Sequence, residues 1–164
     1  MKLTKNFSLS ELTRSVKATK LGIKEQFTPS EEVIDNLTTL CQNVLQPIRD
    51  ELKAPLTITS GYRCSRLNKE ISGGSKTSQH VKGEAADIVS LDENGAVNNS
   101  FLLDLILSLW FTKKIEFDQL IIEFPDEDGN PEWLHISYSI KGNRNEILKA
   151  EKIGGKTVYT KLIK

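Results

Sequence analysis

Two histidines occur in the whole chain, and each sits in a setting that could serve a metal ion. His80 lies in Ser78-Gln79-His80-Val81-Lys82-Gly83-Glu84-Ala85-Ala86-Asp87, and His135 in Glu132-Trp133-Leu134-His135-Ile136-Ser137. A hydrolytic zinc site draws three ligands from imidazole and carboxylate and keeps a fourth position for water. His80, Asp87 and His135 would supply that set. Spacing alone supports this weakly, because a histidine and a nearby aspartate arise easily by chance. The plain alternative makes His80 an exposed loop residue and Asp87 a strand-edge charge. The small residues Gly83, Ala85 and Ala86 around the bend, and a second histidine with a carboxylate beside it, favour the metal.

Metal-assisted hydrolysis also needs a group that takes a proton from water and returns it to the leaving amine. Glu132, just before Trp133 and His135, has the right chemistry, although a strand would not present both side chains on one face. Taken alone it reads as one more solvated charge after Asp126, Glu127 and Asp128. Arg63, after Ser60-Gly61-Tyr62, could hold a carbonyl oxygen or a terminal carboxylate with its planar donors. Alone it reads as a surface ion-pair partner. Cys41 and Cys64 are too few for a disulfide framework or a cysteine-built zinc site and read as free, non-ligating thiols.

These residues need a scaffold, and the pattern predicts one. Ser8-Leu9-Ser10-Glu11 has the form of a capping box and predicts a short helix to about Val16. Thr28-Pro29-Ser30-Glu31 predicts a second helix, with Thr28 as cap and Pro29 at the first helical position. An apolar stripe including Val33, Leu37, Leu40, Cys41, Val44 and Ile48 carries it to about Leu52, kinked at Pro47. Strands are predicted over Leu56–Thr59, Ala85–Val89, Gln119–Phe124 and Trp133–Tyr138. A hairpin is predicted from Glu146–Ile153 and Thr157–Ile163 around Gly154-Gly155-Lys156. A short helix is expected around Ser65–Ile71, a polar loop over 72–78, and a helix capped by Asn99 or Ser100 running to about Phe111. Strands and helices mix without regular alternation. That predicts an α+β fold with a mainly antiparallel sheet flanked by helices, all in one domain over residues 1–164.

Composition narrows the function classes. Hydrophobic residues make up 38% and charged residues 27%, which suits a globular protein. The 22 basic and 22 acidic residues cancel, so the strong positive field of a nucleic-acid binder is missing. No apolar run approaches the ~20 residues that span a bilayer. The start, MKLTKNFSLSELTRS, has no apolar core of an export signal. The expectation is a monomer made in the cytoplasm, with no nucleic-acid partner and no membrane insertion.

The ordered set Ser60-Gly61-Tyr62-Arg63, Asn68, Gly73-Gly74, Ser78-x-His80-x-x-Gly83-x-Ala85-x-Asp87 and Trp133-x-His135-x-Ser137 resembles the zinc D-Ala-D-Ala carboxypeptidase family of murein peptidases (peptidase M15). Phe7 to Leu12, Leu45 to Arg49 and Phe117 to Ile121 are similar to segments of its compact phage- and prophage-associated branch. The resemblance implies a hedgehog/DD-peptidase-like fold and one zinc ion per chain, held by His80, Asp87 and His135. It implies that Arg63 orients and polarises the substrate carbonyl, and that Glu132 is the acid or base. Glu123, at the end of the preceding strand, is the second choice for that role. Ser78 would steady the loop and the substrate, and is not a nucleophile because neither ligand histidine is free to be its base. The implied activity is hydrolysis of peptidoglycan stem peptides, D-Ala-D-Ala carboxypeptidase-like. An L-alanyl-D-glutamate endopeptidase, as in some phage endolysins, is one alternative. A non-catalytic zinc-bearing wall-binding module is another. The substrate lies in the cell wall, and phage-mediated release is the expected route to it.

Overall fold

The computed structural model describes residues 1–71, 77–92 and 94–163. Six strands form one sheet: β1 (Leu56–Ser60), β2 (Ala85–Ser90), β3 (Gln119–Glu123), β4 (Trp133–Ser137), β5 (Glu146–Ile153) and β6 (Lys156–Ile163). Their order is β1-β2-β4-β3-β5-β6, with every neighbouring pair antiparallel except the parallel β3 and β5. The helices are α1 (Leu9–Thr13), α2 (Val16–Lys20), α3 (Glu31–Leu40), α4 (Gln46–Leu52), α5 (Ser65–Glu70), α6 (Gln79–Lys82) and α7 (Asn99–Phe111). This is the α+β architecture with a mainly antiparallel sheet that the sequence predicts. None of the described helices is long and apolar enough to cross a membrane.

The two faces of the sheet have different jobs. Ala86, Ile88, Leu120, Leu134 and Ile136 point one way and join Leu37, Leu40 and Ile48, together with Leu102 and Ile106 of α7, in the main core. Full burial of each leucine or isoleucine among them stabilises the fold by about 1.5–3 kcal/mol. Side chains alternate along a strand, so the intervening residues Asp87, Ile121, Glu123 and His135 share the opposite face. Helix packing on one face therefore leaves the other free for a cleft.

Several local expectations are corrected. The first predicted helix is two short ones: Ser8 caps α1 by accepting from the Glu11 amide, and Ser15 caps α2 by accepting from the Ala18 amide. Arg14 between them is extended and reaches across to donate to the Ile58 carbonyl. The α3 cap is Ser30, not Thr28, because the Ser30 hydroxyl reaches the Val33 amide, which leaves Pro29 outside the helix. The helical run does continue unbroken to Leu52, but not as a single α-helix: a wide π-type turn over Cys41–Leu45, in which the Gln46 amide bonds the Cys41 carbonyl, joins α3 to α4 just ahead of Pro47. Such a turn relieves the clash that a proline ring imposes on the preceding turn. Asn98, not Asn99 or Ser100, caps α7. Asn99 is instead fully buried, accepting from the Ser90 amide and donating to the Pro131 and Glu132 carbonyls. Directly after the end of the predicted polar loop at Ser78, Gln79–Lys82 makes a helical turn that the sequence pattern does not predict, so His80 is on a helix. Residues 72–76 of that loop, with Gly73-Gly74, lie outside the described residues.

Candidate active site

Three elements deliver the histidines and the aspartate. Asp87 on β2 lies directly opposite His135 on β4, on the face away from the core. His80 arrives on α6, which must stop abruptly for the chain to reach β2. Gly83 makes that stop: its φ of +74° is left-handed, and a Cβ there would meet the Val33 carbonyl at 2.7 Å. His80 Nδ1 lies 2.7 Å from the Gly61 carbonyl oxygen. A carbonyl only accepts, so Nδ1 carries the proton and Nε2 turns a lone pair toward the other two residues.

The three ligand-type atoms form a nearly equilateral triangle. His80 Nε2 to His135 Nδ1 is 3.1 Å, His135 Nδ1 to Asp87 Oδ1 is 3.0 Å, and His80 Nε2 to Asp87 Oδ1 is 3.2 Å. Tetrahedral zinc with bonds near 2.1 Å sets its ligands roughly 3.4 Å apart, so the triangle fits the ion with a small expansion. The second His80 nitrogen is already anchored on a carbonyl, as ligand imidazoles usually are. Among the described residues this is the one group of three or more such side chains close enough to share an ion. Burial alone would raise the Asp87 carboxyl. The two imidazoles beside it, His80 first and then His135, outweigh that and hold the group well below the usual carboxylate range.

Arg63 is brought to the same place by a braced turn. A β-bulge between Ile58 and Ser60 ends β1 and redirects the chain. Gly61 then packs so tightly that a Cβ would run into the Leu12 carbonyl. The Tyr62 amide donates to Leu12 and the Arg63 amide to His80. Gln26, wholly buried, completes the brace: its amide donates to the Thr13 and Tyr62 carbonyls and accepts from the Cys64 amide. Sequence reading missed Gln26, since a glutamine in a short turn carries no spacing signal. Burial lowers the Arg63 pKa against the opposing pull of Asp87, and its buried Nε has no hydrogen-bond partner among the described residues. A buried donor left over in this way is suited to an incoming acceptor. Cys64 caps α5 through its sulfur and Cys41 is sealed in the core with its thiol pushed up to about 12 by burial; both are free.

The two candidate proton carriers part company. Glu132 is exposed and does not line the cleft. Its amide donates to the Glu123 carbonyl, and its own carbonyl accepts from Asn99. Glu123 is 7% exposed, lines the cleft, and stands on the same face as His135 and Asp87. Burial pushes the Glu123 carboxyl up to about 7, His135 and Lys152 opposing and Asp87 and Glu132 reinforcing. That range suits a group that must both take and give a proton near neutral pH. Ser78 lines the cleft ahead of α6 without capping it. The cleft measures about 1920 Å³ and is lined from Asp35 and Lys82 to Lys152 and Tyr159.

The family model for Peptidase M15 matches residues 5–102, more than half of the chain, and includes His80 and Asp87. The chain belongs to the Peptidase M15 family. It is a peptidase, and the histidine and carboxylate side chains described above converge in its cleft. No curated protein matches the chain. Among solved structures, it is similar to the crystal structure of the Serratia marcescens L-Ala D-Glu endopeptidase ChiX. That match has a TM-score of 0.41 and 18% identity, over 69% of this chain and 90% of the other.

Proposed function

We propose that this M15 peptidase is a zinc enzyme that hydrolyses peptide bonds in peptidoglycan stem peptides, acting as a monomeric domain with one zinc held by His80, Asp87 and His135. The observation that carries the reading is the 3.0–3.2 Å triangle, into which His80 turns Nε2 while Nδ1 is anchored on the Gly61 carbonyl. Zinc bound there would make a water acidic near neutral pH and polarise the scissile carbonyl. The chain's own residues do the rest. Arg63 donates from its guanidinium to the substrate carbonyl and holds it in register. Glu123 accepts the proton of the attacking water and returns it to the departing amine. Glu123 takes this role in place of Glu132 because it is buried on the cleft face, whereas Glu132 is exposed outside it. Ser78 lines the approach without acting as a nucleophile.

Two bonds in the stem peptide are candidates. The cleft is lined well beyond the triangle, from Asp35 and Lys82 to Lys152 and Tyr159, which favours an internal cut such as L-alanyl-D-glutamate cleavage. The Arg63 Nε, without a partner among the described residues, favours a terminal carboxylate, hence removal of D-alanine from D-Ala-D-Ala. Mass spectrometry of digested muropeptides separates them: an internal fragment supports the endopeptidase, and loss of one terminal alanine supports the carboxypeptidase. The substrate lies in the cell wall, and phage-mediated release is our reading of how the protein reaches it.

A further inference from the structure

We propose that Tyr159, on the C-terminal hairpin, is a substrate-contacting residue whose phenol hydroxyl donates a hydrogen bond to the peptide held beside Glu123. The inference rests on the proposed stem-peptide substrate and adds a wall to its site. The register carries it. Trp133, Glu123, Ala150 and Tyr159 form one cross-strand row through β4, β3, β5 and β6. Glu123 and Tyr159 are two strands apart, roughly 10 Å between backbones. The residue between them is alanine, so only a methyl group separates the phenol from the carboxylate. That methyl is fully buried although it faces the cleft.

The other cleft-face side chains of β6 are already engaged. Thr157 accepts from Lys152 Nζ at 2.7 Å, and Lys161 pairs with Glu146 at 3.1 Å. Tyr159 lines the cleft, is 55% exposed, and its hydroxyl makes no hydrogen bond among the described residues. A rigid ring with an open donor is a low-entropy way to hold an extended peptide. Burial and the charges of Glu123 and Asp87 raise the phenol pKa, so it stays a donor throughout the neutral range.

The test uses Tyr159→Phe and Tyr159→Ala in the zinc-loaded enzyme, with a disaccharide-tetrapeptide muropeptide as substrate. Binding of the same muropeptide to zinc-free protein is measured by calorimetry. Loss of one neutral hydrogen bond is worth about three- to tenfold. Tyr159→Phe is therefore expected to raise KM and the zinc-free Kd by that factor, with kcat, zinc content and melting temperature unchanged. Tyr159→Ala is expected to lose more. A Phe variant within twofold of the parent on both readouts overturns the proposal, including the case where only Ala is impaired and the ring alone matters. A lowered melting temperature that accounts for the loss also overturns it. If the parent neither binds nor cleaves the muropeptide, the substrate reading fails and this proposal falls with it, whereas an active parent with an unaffected Phe variant removes Tyr159 alone.

Discussion

At the scale of single residues, the Gly61 carbonyl occupies Nδ1 of His80 and leaves Nε2 facing Asp87 and His135, and burial on the cleft face sets Glu123 apart from the exposed Glu132. Glu123→Gln is expected to keep its zinc and lose about 10²–10⁴-fold in kcat, the usual worth of a positioned acid or base. Glu132→Gln is expected to stay within a few-fold of the parent. Steady-state kinetics at matched zinc content checks both, and the reverse pattern returns the role to Glu132. Stability offers an independent check. The folded Glu123 pKa is raised from an ordinary 4.5 to about 7 by burial, so below pH 4.5 the carboxyl is protonated in both states and costs nothing. As pH rises through that window the unfolded chain ionises first, and the metal-free fold loses up to about 3 kcal/mol. Metal-free Glu123→Gln is therefore expected to melt above the parent at pH 8 and with it at pH 4. Equal melting at pH 8 would mean that the carboxylate is not buried as described.

At the scale of elements, the site depends on how α6 and the 60–64 turn are held. Gly83→Ala places a side chain at φ +74° against the Val33 carbonyl. It is expected to cost at least about 1–2 kcal/mol, the usual penalty for a left-handed non-glycine residue, and to weaken zinc binding by shifting His80. A thermal melt and a chelator competition read the two effects. Gln26→Ala orphans three buried backbone partners and is expected to lower the melting temperature and kcat/KM together, because the Arg63 turn loses its brace. The strands were readable to within a residue or so, from runs of strand-favouring residues bounded by turn signals. The caps were not, because Ser30 two residues after Thr28 offers an equally good hydroxyl, and only the packed structure selects it. A single turn such as α6 covers barely one helical period, so no repeat of it shows in the pattern.

At the scale of the whole molecule, one packed face and one open face of a six-stranded sheet create the cleft. The sequence could name His80, Asp87 and His135 from residue type and motif, and the fold then gathers them. It could not tell that β3 runs parallel to β5, which extends the open face past Glu123 and brings Tyr159 to the cleft. Nor could spacing along the chain separate Glu123 from Glu132, because their difference lies in which of them faces the cleft. The central claim is that zinc on His80, Asp87 and His135 drives hydrolysis of stem peptides. Mass spectrometry of muropeptides digested by protein of measured zinc content, before and after chelation and zinc restoration, tests it most directly. Cleavage that tracks zinc occupancy is the predicted result. Undiminished cleavage by metal-free protein, or none by fully zinc-loaded protein, would contradict it.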